Sequence, residues 1–76
     1  MNRIKELRVD NDIKQQYIAN MLSITQAQYS RIECNKYELD YNGLTVLSEF
    51  YRVNIDYLLG LTDVDKFFPR RKNDKK

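Results

Sequence analysis

Residues 25–35, TQAQYSRIECN, decide how the rest of this chain is read. Thr25 stands three residues before Gln28, so its hydroxyl can accept from the Gln28 amide while the Gln28 side chain reaches back, a capping box that starts a helix sharply. Asn35 tolerates the left-handed backbone that closes one. At about 100° per residue, Tyr29 and Ile32 share one face, while Ala27, Ser30, Arg31 and Cys34 spread over the opposite face. One side is built for burial and the other for display. The displayed side, with Gln26 and Gln28 at its edges, carries amides and a guanidinium, groups that can bond two base-edge atoms at once. The same residues also make an ordinary solvated helix face, so the choice rests on their setting.

Upstream, Ser23 and Ile24 leave a very short connection to a helix ending at Leu22, with Ile18, Ala19, Met21 and Leu22 available for burial. Asp12 lies three before Gln15 and is expected to cap that helix. Before the break at Asp10, Asn11 and Asp12, Ile4 and Leu7 mark a short first helix over residues 2–9. Downstream, KYELDYNG (36–43) reads as a loop with Tyr37 and Tyr41 as apolar anchors and Asp40 as a cap. Leu44, Leu47, Phe50 and Tyr51 then recur at helical spacing until about Arg52. Asn54 is expected to cap a last helix over 55–59, stopped by Gly60. Five helices and no alternating strand pattern predict an all-α, five-helix bundle.

A chain of 76 residues allows one small domain, which buries only about 60 % of the surface its unfolded form exposes. Cys34 is the single cysteine and there is no histidine, so neither a disulfide nor a Cys/His metal site is expected, and no cofactor. The start MNRIKEL is charged from its third residue and no apolar run reaches transmembrane length, which points to a cytoplasmic protein without a membrane span. The formal charge of +2 divides unevenly: residues 1–60 carry seven Lys/Arg against eight Asp/Glu, and residues 61–76 carry six against three. Bulk charge therefore does not argue for nucleic acid in the body of the chain. Residues 1–61 read as the domain and 62–76 as a charged tail, solvated and mobile after Pro69. Phe67 and Phe68 either tuck against the bundle or join a dimer contact, with Arg70, Arg71, Lys72, Lys75 and Lys76 near phosphates.

With the helices placed, residues 15–32 resemble the helix-turn-helix of the lambdoid phage repressor and Xre family, and the likeness covers residues 3–60. The features that carry it are Gln15 at the start of the first motif helix, Ile18 and Ala19, Leu22 before the turn, Ile24 within it, Tyr29, Ile32 and Glu33 in the second helix, and the closing VNIDYLLG at 53–60. The turn residue is Ser23 where the family usually has Gly, Asn35 replaces a Gly after the second motif helix, and Leu39 stands where Pro is frequent. Ser at positive φ would store about 1 kcal/mol of strain.

The resemblance implies a lambda-repressor-like bundle whose recognition helix, residues 26–34, enters the major groove of double-stranded DNA with Gln26, Ala27, Gln28 and Arg31 towards base edges. Lys14, Gln15, Thr25, Lys36 and Tyr37 would flank phosphates. Arg8 and Glu33 would form an ion pair tying the first helix to the recognition helix. It further implies a regulator of transcription, a repressor in the first instance, acting as a homodimer on an inverted repeat through residues 53–61, with Phe67 and Phe68 as possible additions to that contact. Two other classes compete with this one. An enzyme finds little support, since no histidine is present, Cys34 has no activating partner and the carboxylates are scattered. An antitoxin or adaptor using the same fold to bind protein would bind with weak salt dependence, unlike a phosphate-binding module. No small-molecule pocket is evident from the sequence.

Overall fold

The way each helix is stopped sets the architecture. In the computed structural model, which describes residues 2–68, five helices run in order: α1 Ile4–Asp10, α2 Gln15–Leu22, α3 Gln26–Glu33, α4 Tyr41–Tyr51 and α5 Ile55–Leu58. No strand occurs among the described residues. Asp12, Ser23, Asn35, Arg52 and Gly60 all take positive φ, between 58° and 78°. Behind each, an amide reaches back five residues: Ile13 N to Arg8 O, Ile24 N to Ala19 O, Lys36 N to Arg31 O, Val53 N to Ser48 O and Leu61 N to Asp56 O. This is the Schellman closure, which satisfies the last carbonyls and turns the chain at once. Only one of the five positions is glycine.

That pattern corrects the expected role of Asp12. Its φ of 58° places it in the closure of α1, so it cannot hold the extended backbone of a helix N-cap, and α2 starts instead behind Lys14 without a side-chain cap. The other starts follow the sequence. Thr25 and Gln28 form both halves of the capping box, Asp40 accepts from Gly43 N at 2.8 Å, and Asn54 accepts from Tyr57 N at 2.8 Å. Tyr37 and Tyr41 are corrected as well. Both are exposed, and the loop is anchored by Leu39, which packs on the core where Gly43 leaves room; a Cβ on Gly43 would lie 2.5 Å from the Leu39 side chain.

Ile4, Ile18, Ala19, Tyr29, Ile32, Leu47, Val53 and Leu58 form the core, each at most 6 % exposed. α3 lies at its centre, packed on α2 and α1, while α4 and α5 pack on each other. Phe50, expected inside, is 37 % exposed and tilts against Tyr17 at 6.2 Å. Residues 62–68 run back along the body. Arg3 donates to Thr62 O at 3.1 Å and lies over the Tyr57 ring, Asn54 Nδ2 donates to Val64 O and Lys66 O, and the Arg52 guanidinium sits 4.6 Å from the centre of Phe67. Phe67 is half-buried and Phe68 exposed, so the two rings do different things. The expectation for the chain from Pro69 onward lies outside the described residues.

Ser23 offers a direct test of stored strain. Its left-handed backbone, φ 61° and ψ 39°, costs a residue bearing a Cβ about 1–2 kcal/mol, while glycine there costs roughly 0.4–1 kcal/mol in unfolded-state entropy. Ser23→Gly is therefore expected to gain roughly 0.5–1 kcal/mol and raise Tm by about 2–8 °C. A thermal melt followed by circular dichroism reads this directly, and an unchanged or lower Tm would mean that Ser23 carries no strain worth relieving.

Candidate nucleic-acid interface

The starts of α2 and α3 lie side by side, joined by one hydrogen bond: Gln26 Nε2 donates to Gln15 Oε1 at 3.2 Å. Gln15 in turn donates through its Nε2 to Glu33 Oε1 at 3.0 Å. Neither first turn contains an acidic residue. The positive ends of both helix dipoles thus carry no carboxylate of their own, and the one nearby, Glu33, is buried and paired with Arg8, which favours an anion in front of them. At α2 no side chain caps the first amides; Tyr17 N donates to Lys14 O at 3.1 Å, which leaves those of Gln15 and Gln16 open to an incoming acceptor.

The predicted residues divide between the two ends of α3. Lys14, Gln15, Thr25, Gln26, Ala27 and Gln28 gather at its start, and Lys14, Thr25, Gln26, Ala27 and Gln28 are exposed there. Arg31 is exposed in the last turn, and Lys36 and Tyr37 lie beyond the C-terminal end. Between residues 13 and 37 the charges are Lys14, Arg31, Lys36 and Glu33, and Glu33 is buried. The surface of this segment is therefore positive although the body as a whole is not.

Two amides differ from what their sequence positions suggest. The Gln28 carbonyl oxygen accepts from Thr25 N at 2.9 Å, which leaves its NH2 as the free group. A two-point contact from Gln28 to adenine would require the capping box to open. Gln26 keeps its carbonyl oxygen and one N–H clear of the bond to Gln15, so it can offer an acceptor and a donor together.

Beneath the surface, Arg8 Nε donates to Glu33 Oε2 at 2.6 Å, and Arg8 Nη1 donates to Ile13 O at 2.7 Å. The Glu33 side chain is 2 % exposed and that of Arg8 is 14 %. Burial alone would push the Glu33 carboxyl up, but the hydrogen bonds led by Arg8 outweigh it and hold the group below its ordinary value. The same bond raises Arg8. The Tyr29 and Tyr51 hydroxyls are buried and make no hydrogen bond of ordinary geometry among the described residues, though that of Tyr29 faces Glu33 closely enough to help hold its carboxylate charged. Burial pushes Tyr51 up to about 12 and Tyr29 higher still.

A carboxyl lowered in the folded state binds fewer protons there than in the unfolded chain, so its contribution is full above the ordinary value of 4.5 and is lost as pH falls through the folded one. In urea unfolding at a series of pH values, the stability gap between the parent and Glu33→Gln is expected to narrow on acidification below about pH 4.5. A gap that stays constant to pH 3 would show that Glu33 titrates normally.

Sequence reasoning missed three links. The bonds from Gln15 to Glu33 and Gln26 had no local signal. Nor did Asn2, whose amide donates to Ile32 O at 3.0 Å and Asn35 Oδ1 at 2.9 Å while its oxygen accepts from Ile4 N. One side chain thereby starts α1 and ties it to the end of α3. Its only trace in the sequence is an asparagine placed two before an apolar helix start.

The profile of a helix-turn-helix domain family matches residues 1–64. The chain belongs to that helix-turn-helix family. Among relatives from Bacillus subtilis (strain 168), the uncharacterized HTH-type transcriptional regulator YobD is 30 % identical over 96 % of this helix-turn-helix chain and 65 % of its own length. The SPbeta prophage-derived uncharacterized HTH-type transcriptional regulator YonR is 39 % identical over 75 % of this chain and 53 % of its own. A third, YqaE, also named an uncharacterized HTH-type transcriptional regulator, is 34 % identical over 86 % and 56 %. The chain thus spans about half to two thirds of the length of these relatives. No solved structure gives a significant match. In this helix-turn-helix, α2 and α3 are the two motif helices and Ser23 and Ile24 lie in the turn between them. No helix among the described residues is long and apolar enough to cross a membrane.

Proposed function

We propose that this chain is a sequence-specific double-stranded DNA-binding regulator of transcription, with α3 as the helix that enters the major groove. The observation that carries the reading is the joined start of α2 and α3. Gln26, held by Gln15, offers a donor and an acceptor at an exposed helix end, beside the uncapped and acid-free start of α2. The first arrangement suits a base edge and the second a phosphate. In this reading Lys14, Thr25 and the backbone amide of Gln15 contact one strand's phosphates, and Lys36 and Tyr37 the backbone at the far end of α3. Ala27 and Arg31 complete the base-facing set. The names of the Bacillus subtilis relatives point the same way.

Repression is the simplest output, because occupancy of an operator excludes other proteins without any further surface. One domain reads few base pairs, so the working unit is a homodimer on an inverted repeat, with recognition helices about 34 Å apart. Val53 and Leu58 are spent in the core, which leaves Leu61 and Phe68 of the expected contact exposed, with Tyr41 and Val64 also uncovered. Sedimentation over a concentration series, free and on DNA, tests this; a monomer in both would remove the two-half-site arrangement. Selection of bound sequences from a random DNA pool tests the main reading. Gln26→Ala is expected to relax preference at one base pair by roughly 1–3 kcal/mol, and binding should weaken steeply with salt. Salt-insensitive binding with no selected sequence would instead favour a protein-binding role.

A further inference from the structure

We propose that Glu33, which reaches no DNA itself, sets which base Gln26 prefers, acting through Gln15. This rests on the DNA reading above. An ionised carboxylate only accepts hydrogen bonds. Because Glu33 Oε1 lies 3.0 Å from Gln15 Nε2, Gln15 must turn its NH2 inward and its carbonyl outward. That carbonyl also only accepts, and it lies 3.2 Å from Gln26 Nε2, so Gln26 must turn its NH2 towards Gln15. Arg8, which donates to Oε2 at 2.6 Å and also to Oε1 at 3.3 Å, keeps Glu33 charged and in place. The polarity of the buried end is passed along two amides to the surface.

The consequence at the surface is chemical. In this orientation Gln26 presents its carbonyl oxygen and one N–H, the complement of the adenine amino group and N7. Were the relay reversed, the Gln26 oxygen would face inward and both N–H groups outward, the complement of guanine O6 and N7. Glu33 is thus a positioning residue for adenine over guanine at one operator position.

Two substitutions separate this from a structural role. Gln15→Lys keeps a donor for Glu33 and leaves the Arg8–Glu33 pair intact, but it has only donors to offer Gln26, which should turn its oxygen inward. Glu33→Gln can donate as well as accept, so it no longer forces one orientation. Selection from a random DNA pool should show an adenine preference in the parent at the position that Gln26→Ala relaxes. Gln15→Lys should swing the adenine-to-guanine ratio there towards guanine by roughly tenfold or more, and Glu33→Gln should bring the two bases within a few-fold of each other. An unchanged ratio in folded Gln15→Lys would overturn the proposal, whether or not Glu33→Gln folds. A second measurement needs no DNA: nuclear magnetic resonance of the free protein should show one side-chain amide proton of Gln26 exchanging more slowly than those of Gln28, and Gln15→Lys should abolish that difference. If the parent selects no sequence, the DNA reading falls and this amide comparison alone decides the relay, with equal exchange in Gln26 and Gln28 overturning it.

Discussion

Arg8→Ala is expected to cost about 3–5 kcal/mol, because it strips the partner from a carboxylate that is 2 % exposed. A chain of 76 residues has roughly 4–11 kcal/mol in total, so the variant should lose from about a quarter to all of that margin. The charge loss is the larger part. Arg8 also holds the Ile13 carbonyl between α1 and α2, and that bond contributes about 1 kcal/mol more. The cost should shrink at low pH, where Glu33 takes up a proton and no longer needs a cation. Urea unfolding at neutral pH and near pH 3 checks both statements. An unchanged midpoint at neutral pH would mean that the pair holds nothing together. By contrast the Arg3–Asp63 pair, with Asp63 99 % exposed, should contribute at most about 1 kcal/mol.

Tyr29→Ala is expected to cost about 3–5 kcal/mol by emptying the largest fully buried side chain of the core. Tyr29 is the residue by which α3 is seated, so loss of its ring should also loosen the helix that carries Gln26 and Arg31. Tyr29→Phe separates ring from hydroxyl. The hydroxyl is buried and makes no hydrogen bond of ordinary geometry among the described residues, although it faces Glu33, and removing it should change stability by about 1 kcal/mol or less. Paired unfolding curves decide the matter: if the Phe variant loses as much as the Ala variant, the hydroxyl rather than the ring seats the helix.

Most of the fold is legible because helix starts, stops and faces are settled within a few residues. Thr25 and Gln28, Asp40 and Gly43, and Asn54 and Tyr57 each interact across three positions, and such pairs are visible as spacing. The misreadings have local physical causes too. Asp12 has the side chain of an N-cap but serves as the left-handed stop of the preceding helix, two roles that the same residue type fits. Tyr37 and Tyr41 have rings large enough to anchor a loop, but α4 begins at Tyr41 and turns it outward, and the smaller Leu39 takes the space above Gly43.

The sequence by itself determined the five helices, their buried stripes and the polar face of α3, since those depend on backbone propensity and on periods of three and four residues. Only the tertiary structure decided how that face is used. The partners in the line from Arg8 through Glu33 and Gln15 to Gln26 stand 25, 18 and 11 residues apart, and Arg3 meets residue 63 across 60. Such pairs form only once helices have packed, and no spacing within a single helix encodes the distance between two of them. Packing also left Gln26 with a donor and an acceptor facing out, while the local capping box holds the Gln28 oxygen.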